Sequence, residues 1–256
     1  MKKTTLFLSL VLALTVLSMS ALATPFTVTA TTSIFKAGGA TSAGGDDGIS
    51  PTAFALGSGG GSLTFDSVAG SVTCGTVAGF CNGAGAPAPT SNGPDGTAYT
   101  GMAAGATNIT SPGSGISGVS FTGREMFLVG VFLDASTPAG APPATLAYTP
   151  IFADSATIFA PLIGQVFYIG NGLTGGPTDA AGVTQTFLVP VTGTRLFLGF
   201  ADSSGFVGAP AMYGDNQGSL SGNFTFAAAS GVPEPGTIVL MGLGLMGLAL
   251  LRKKIA

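Results

Sequence analysis

The chain is punctuated too often for long helices. Its 256 residues include 42 glycines and 16 prolines, and a Gly or Pro in a helix interior costs about 1 or 3 kcal/mol relative to Ala. Between these breaks lie short runs of Val, Ile, Thr and Phe, and outside the two ends no stretch repeats with helical period. Short β-branched and aromatic runs bounded by Gly, Pro, Ser and Asn are strand and turn signals. The runs predict nine strands, at 26–35, 62–68, 72–77, 116–121, 126–134, 165–170, 185–191, 194–201 and 220–227. Residues 126–133 are apolar on both faces and are expected at the centre of a sheet, and residues 195–200 are similar. Nine short strands without intervening helices predict an all-β fold, a single β-sandwich of jelly-roll type with long Gly-rich loops. The long breaks at 38–61 and 83–115, and the Pro-rich run at 137–150, read as loops of one domain, because neither side of any of them carries enough strands for a separate core.

The two ends differ from this body. Met1-Lys2-Lys3 is a short positive region, residues 6–17 are apolar, and Ala21-Leu22-Ala23 supplies small residues at alternate positions. That order is a secretory signal peptide over 1–23, handled by the Sec translocon and signal peptidase and cut between Ala23 and Thr24. The alternative is an uncleaved anchor. The opposite end holds Val232-Pro233-Glu234-Pro235, then residues 236–251, apolar apart from Thr237, then Arg252-Lys253-Lys254. Sixteen helical residues span about 24 Å, a little under the apolar thickness of a bilayer. A basic end favours the cytoplasmic side, as do Lys2 and Lys3, which leaves residues 24–231 outside the cytoplasm. The run Gly242-Leu243-Gly244-Leu245-Met246-Gly247 fits G-x-G-x-x-G but has no preceding strand or βαβ unit, so it is not a dinucleotide loop.

The body carries three basic residues, Lys36, Arg124 and Arg195, against ten acidic ones, a formal charge of −7. Such a surface does not replace the counterions of nucleic acid. The sequence has no His, which excludes a Ser-His-Asp set. Its only glutamates are Glu125 and Glu234, and the aspartates sit where turns are expected. The reading is therefore a non-enzyme, with a carbohydrate-active enzyme as the distant alternative. Cys74 and Cys81 are the only cysteines. Export favours a disulfide closing the loop CGTVAGFC; free thiols or a thiolate metal pair are the other readings.

One body segment offers candidate ligands. A strand ends at Asp202, and after a loop come Tyr213-Gly214-Asp215-Asn216-Gln217-Gly218 and a last strand. Asp202, Asp215 and Asn216 thus come to the mouth between two strands, where oxygen side chains suit a hard cation such as calcium. Ordinary turn chemistry accounts for the same residues.

Two resemblances extend this reading. The C-terminal 25 residues, with Val232-Pro233-Glu234-Pro235, the apolar run and Arg252-Lys253-Lys254 in order, resemble a PEP-CTERM sorting domain. The resemblance implies recognition by an exosortase, cleavage near Pro233-Glu234-Pro235, and display in the envelope or extracellular matrix of an exopolysaccharide-making bacterium. Residues 194–226 resemble bacterial galactose-binding calcium lectins of jelly-roll fold. That resemblance implies calcium ligation by Asp202, Asp215, Asn216 and the carbonyl of Met212. Asn92-Gly93-Pro94-Asp95-Gly96 is similar to a loop near the lectins' sugar site. The chain departs from the family in its longer loop after Asp202 and in lacking the sugar-contacting His. The combined expectation is an exported surface or matrix protein that binds exopolysaccharide through calcium. The alternative is a purely structural biofilm or envelope component.

Overall fold

A computed structural model describes residues 23–57, 60–75, 92–97, 106–110, 112–177, 181–229 and 244. Thirteen strands occupy them: β1 (Ala23–Thr29), β2 (Ala53–Ala55), β3 (Gly61–Thr73), β4 (Ala106–Ile109), β5 (Val119–Thr122), β6 (Val129–Leu133), β7 (Leu146–Tyr148), β8 (Ile158–Phe159), β9 (Val166–Tyr168), β10 (Thr186–Val189), β11 (Arg195–Gly199), β12 (Val207–Gly208) and β13 (Gln217–Ala228). They form three sheets, ordered β1-β13-β3-β10-β8, β2-β11-β6-β9 and β12-β4-β5-β7. The fold is all-β, as the strand and turn pattern predicts.

The interior is aromatic. Phe224 of β13 meets Phe54 of β2 with ring centres 5.3 Å apart. Phe187 of β10 meets Phe167 of β9 at 5.3 Å. These pairs close the first sheet over the second. Phe121 of β5 meets Tyr168 of β9 edge-on at 5.1 Å and joins the third sheet to the second. Edge-to-face pairs of this kind add about 0.5–1.5 kcal/mol to the burial of the rings themselves.

The two strands read as central are so placed. β11 lies between β2 and β6, and β6 between β11 and β9. Every residue of β6 is buried. Part of the cover on their far face is a 3-10 segment, Ile34–Gly39. A Cβ on Gly199 would lie 3.0 Å from the Ile34 nitrogen, so a larger residue there would press against this segment.

Several expected boundaries are corrected. The predicted strand 26–35 ends at Thr29, because the chain turns there and continues as the 3-10 segment. The predicted strands 62–68 and 72–77 are one, β3, which runs through Gly70. The run 137–150 is not wholly loop: β7 lies inside it, paired in parallel with β5. A short helix absent from the sequence reading, α1 (Pro150–Ser155), starts at Thr149, whose side chain accepts from the Phe152 N–H, with Pro150 in the first turn. Both are standard helix-start chemistry. Of the apolar run 236–251, only Gly244, which is helical, lies inside the described residues. Among those residues no helix is long and apolar enough to cross a membrane.

The register gives the body two distinct ends. Ala23 lies opposite Thr225, and Ala228 lies opposite Gly61, which in turn lies opposite Val189. The start of β1 and the finish of β13 therefore lie at one end of the first sheet, so the chain enters and leaves the body there. β13 begins at the other end with Gln217, about 36 Å away at a strand's rise per residue.

Candidate functional site

The distal end, away from the termini, gathers the predicted cation ligands. β11 delivers Phe200 and Asp202 to it, and the one-turn 3-10 segment Tyr213–Asp215 leads into Asn216 and β13. Asp202 and Asn216 meet directly: the Asn216 amide Nδ2 donates to Asp202 Oδ2 at 2.7 Å and to the Ala30 carbonyl at 3.2 Å. The other carboxylate oxygen of Asp202 accepts from the Ser203 N–H at 2.7 Å. Both side chains are buried, and Asn216 Oδ1 has no hydrogen-bond partner.

Burial pushes the Asp202 carboxyl well above the usual range. The bonds from Asn216 and Ser203 offset this in part, and the charges of Asp215 and Asp47 push it further. Asp215 thus lies within electrostatic reach of Asp202. Met212 has left-handed backbone geometry (φ 68°) and is partly exposed. Among the described residues no group of three or more Asp, Glu, Cys and His side chains is close enough to hold a metal. Any cation here would depend on Asp202, the Asn216 amide oxygen and main-chain carbonyls.

Sequence reasoning missed the residue that holds this loop in place. Asp47 accepts from the N–H groups of Tyr213 and Gly214 at 2.7 and 3.0 Å. It anchors the 213–215 turn from a loop more than 160 residues away, and no local pattern could reveal that contact. Its neighbour Asp46 accepts from Ser33 Oγ at 2.7 Å and pairs with Lys36. Tyr213, fully buried, donates its hydroxyl to the Phe200 carbonyl and accepts from the Asp202 N–H. The acidic pair read only as charge is thus a tie for the candidate site.

A second buried polar cluster involves the 92–97 segment. Asp95 accepts from the Tyr168 hydroxyl at 2.7 Å and from the Asn171 N–H at 3.0 Å. Arg124 donates to Tyr168 at 3.0 Å and pairs with Asp154 at 2.6 Å, with its guanidinium 5.0 Å from the Phe121 ring centre. Asn92 and Asp95 face inward and are buried. These two side chains serve packing and hydrogen bonding within the body, in contrast to the sugar-loop role implied by the lectin resemblance. Burial raises the Asp95 carboxyl despite its donors and Arg124.

Cys74 is buried and disulfide-bonded; Cys81 lies outside the described residues. Ala23 and Thr24, the predicted cleavage pair, are the first two residues of β1, opposite Thr225 and Phe224. Val232, Pro233, Glu234, Pro235, Arg252, Lys253 and Lys254 lie outside the described residues. Only residues 229–231 separate β13 from Val232, so Val232 lies no more than about 14 Å from Ala228 even with the chain fully extended.

Residues 231–254 match the PEP-CTERM protein-sorting motif. No curated protein and no solved structure matches the chain.

Proposed function

We propose that this PEP-CTERM protein is exported through the inner membrane, processed by an exosortase, and retained at the cell surface or in the extracellular matrix as a non-catalytic component. The match over residues 231–254 carries the reading. The register supports it: with Ala23 opposite Thr225, a signal segment and a tail can occupy the membrane together while the body projects from one side. The apolar run 236–251 is the membrane segment before processing, and Arg252-Lys253-Lys254 hold its cytoplasmic end. Intact-mass measurement of the extracellular protein tests this. Loss of both 1–23 and the tail beyond the Pro233-Glu234-Pro235 region is expected. A mature protein that keeps Arg252-Lys253-Lys254 overturns the processing and leaves a plain tail anchor.

A ligand function at the distal end is the second reading, favoured by the unpartnered Asn216 Oδ1. Turning that amide over would set Oδ1 where Nδ2 now stands, beside Asp202 Oδ2 and the Ala30 carbonyl. Three oxygens so placed suit calcium and no hydrogen-bond donor. Met212 and Asp215 sit on the adjoining turn. In this reading a jelly-roll body holds calcium there and binds exopolysaccharide through it. Calcium-dependent retention on the producing organism's polysaccharide separates it from a purely structural role: retention that survives chelation, or no retention at all, overturns it. Release of reducing ends would point to a carbohydrate-active enzyme instead.

A further inference from the structure

We infer that the end of the body that carries both chain termini is a lipid-contacting surface, on which the membrane-tethered precursor rests. The inference builds on the reading of residues 236–251 as a membrane segment and goes beyond it, because a tethered body could equally hang free.

Three observations carry it. First, the tether is short. Seven residues, 229–235, intervene between β13 and the apolar run, and β13 is hydrogen-bonded on both sides, to β1 and β3. Even fully extended, that linker keeps the chain exit within about 28 Å of the apolar run, less than the length of β13, unless a central strand unpairs.

Second, this end exposes a group of large apolar side chains. Val191, at the tip of the turn after β10, is 82% exposed, Leu162 is 60% exposed and Leu188 is 43% exposed. They share one neighbourhood with the exit of the chain. A side chain at Gly60 would lie 3.9 Å from Val191 Cγ2 and 4.0 Å from the Ala229 Cβ. One at Gly193 would lie 3.5 Å from Ile163 Cδ1, next to Leu162.

Third, the segments nearest the exit of the chain are uncharged. The segments 158–165, 186–194 and 223–229 contain no Asp, Glu, Lys or Arg. Asp46, Asp47, Asp202 and Asp215 all gather at the distal end. Bringing ionised groups against lipid is costly and bringing Val and Leu against it is favourable. Asp134 and Arg195 flank this end, so the uncharged segments beside the chain exit are the part suited to lipid.

The native chain has no Trp, so single tryptophans report position cleanly. The unprocessed full chain is placed in vesicles of phosphatidylethanolamine and phosphatidylglycerol, with or without brominated acyl chains. Leu162→Trp, or Val191→Trp, is expected to lose about half its emission to bromine, as a side chain some 5–10 Å into the interface does. Gln217→Trp, at the opposite end of the same sheet, is expected to lose none. Adding Val191→Asp to the Leu162→Trp chain should restore its emission while flotation with the vesicles persists. Flotation without quenching of Leu162→Trp overturns the lipid contact and leaves the tail reading intact. Equal quenching at Gln217 also overturns it, as does lipid-independent shielding in a sedimenting dimer, which would assign the surface to a second copy. A chain that does not float at all defeats the membrane segment and this inference together.

Discussion

Asn216 holds Asp202 through its amide nitrogen, 2.7 Å away, while its own carbonyl oxygen is buried with no donor. A buried unsatisfied acceptor costs about 1–3 kcal/mol. The pair is thus poised to gain from anything that supplies positive charge to both oxygens. With the amide turned so that its oxygen faces Asp202, a cation does this, and so does a proton on Asp202, whose carboxyl burial already raises.

The expected consequence is a calcium response. Binding to the folded state alone stabilises by about 2.7 kcal/mol at a hundredfold excess over Kd. For a body of this size that is a rise of about 5–10 °C in Tm. Asp202→Asn keeps the shape and removes the charge, so it should abolish the rise. It should not lower the melting temperature in chelator, because it also removes a buried carboxylate. Identical melting of the wild type in calcium and in chelator would sink the site.

The strands legible in the sequence are those whose apolar runs are unbroken. β6 and β11 are buried on both faces and carry almost no polar residue, so pattern alone places them at the centre. β3 was legible only in pieces. Ala69-Gly70-Ser71 has the composition of a turn, yet Gly70 stays in the strand at φ 121° because the Ser219 carbonyl passes 2.4 Å from where its Cβ would be. β4 and β7 are short and set in Ala-, Thr- and Pro-rich surroundings, so neighbours in space define them. At the candidate site the proximity of Asp202 to Asn216 was legible, since two strands converge there. The contribution of Asp47 was not, because its contact spans most of the chain. The sorting tail was the most legible part, since its signal is linear.

The second prediction concerns Cys74, which is disulfide-bonded at the end of β3. Cys81 is the only other cysteine, and the loop between them is short. Alkylation of the exported protein before reduction should label neither thiol. Cys74→Ser should lower the unfolding free energy by about 2–3 kcal/mol at most, the chain-entropy value for a loop of this length. Stoichiometric labelling of both cysteines in unreduced protein would refute the pairing.

Arg124 is the basic residue most deeply committed to the core. It bonds Tyr168 and Asp154 and lies over the Phe121 ring, while Tyr168 bonds Asp95. Arg124→Met keeps the stem and removes the charge. It leaves Asp95 buried without its nearest cation, so a loss of about 3 kcal/mol is expected, near the lower bound for a broken buried pair. Adding Asp95→Asn should recover part of that loss, because the unbalanced charge goes with it. Urea unfolding of the two variants measures both effects. An Arg124→Met chain as stable as wild type would show that the cluster is held by ring packing alone.

Glu125 gives the chain a pH dependence of unusual sign for a carboxylate. It is buried, and among the described residues no hydrogen bond or ion pair reaches its carboxylate. Burial alone lifts its carboxyl to about 7. In the unfolded chain it titrates near the ordinary value of about 4.3. Below that value both states hold the proton, and this group's contribution is fully present. Between there and pH 7 the folded state keeps a proton that the unfolded state has released. The unfolding free energy therefore falls as pH rises and levels off above about 7. At about 1.4 kcal/mol per unit of pKa, the decline amounts to about 3–4 kcal/mol. Asp95 and Asp202, also raised by burial, contribute in the same direction, whereas Asp134, lowered chiefly by its bonds from Ser136, contributes in the opposite one. Comparison with Glu125→Gln isolates the one group. The variant should match the wild type at pH 4, exceed it by about 3–4 kcal/mol at pH 8, and lose the slope that separates these values. Parallel urea-unfolding profiles for the two proteins across pH 4–8 would show that Glu125 is ionised, and solvated, in the folded state.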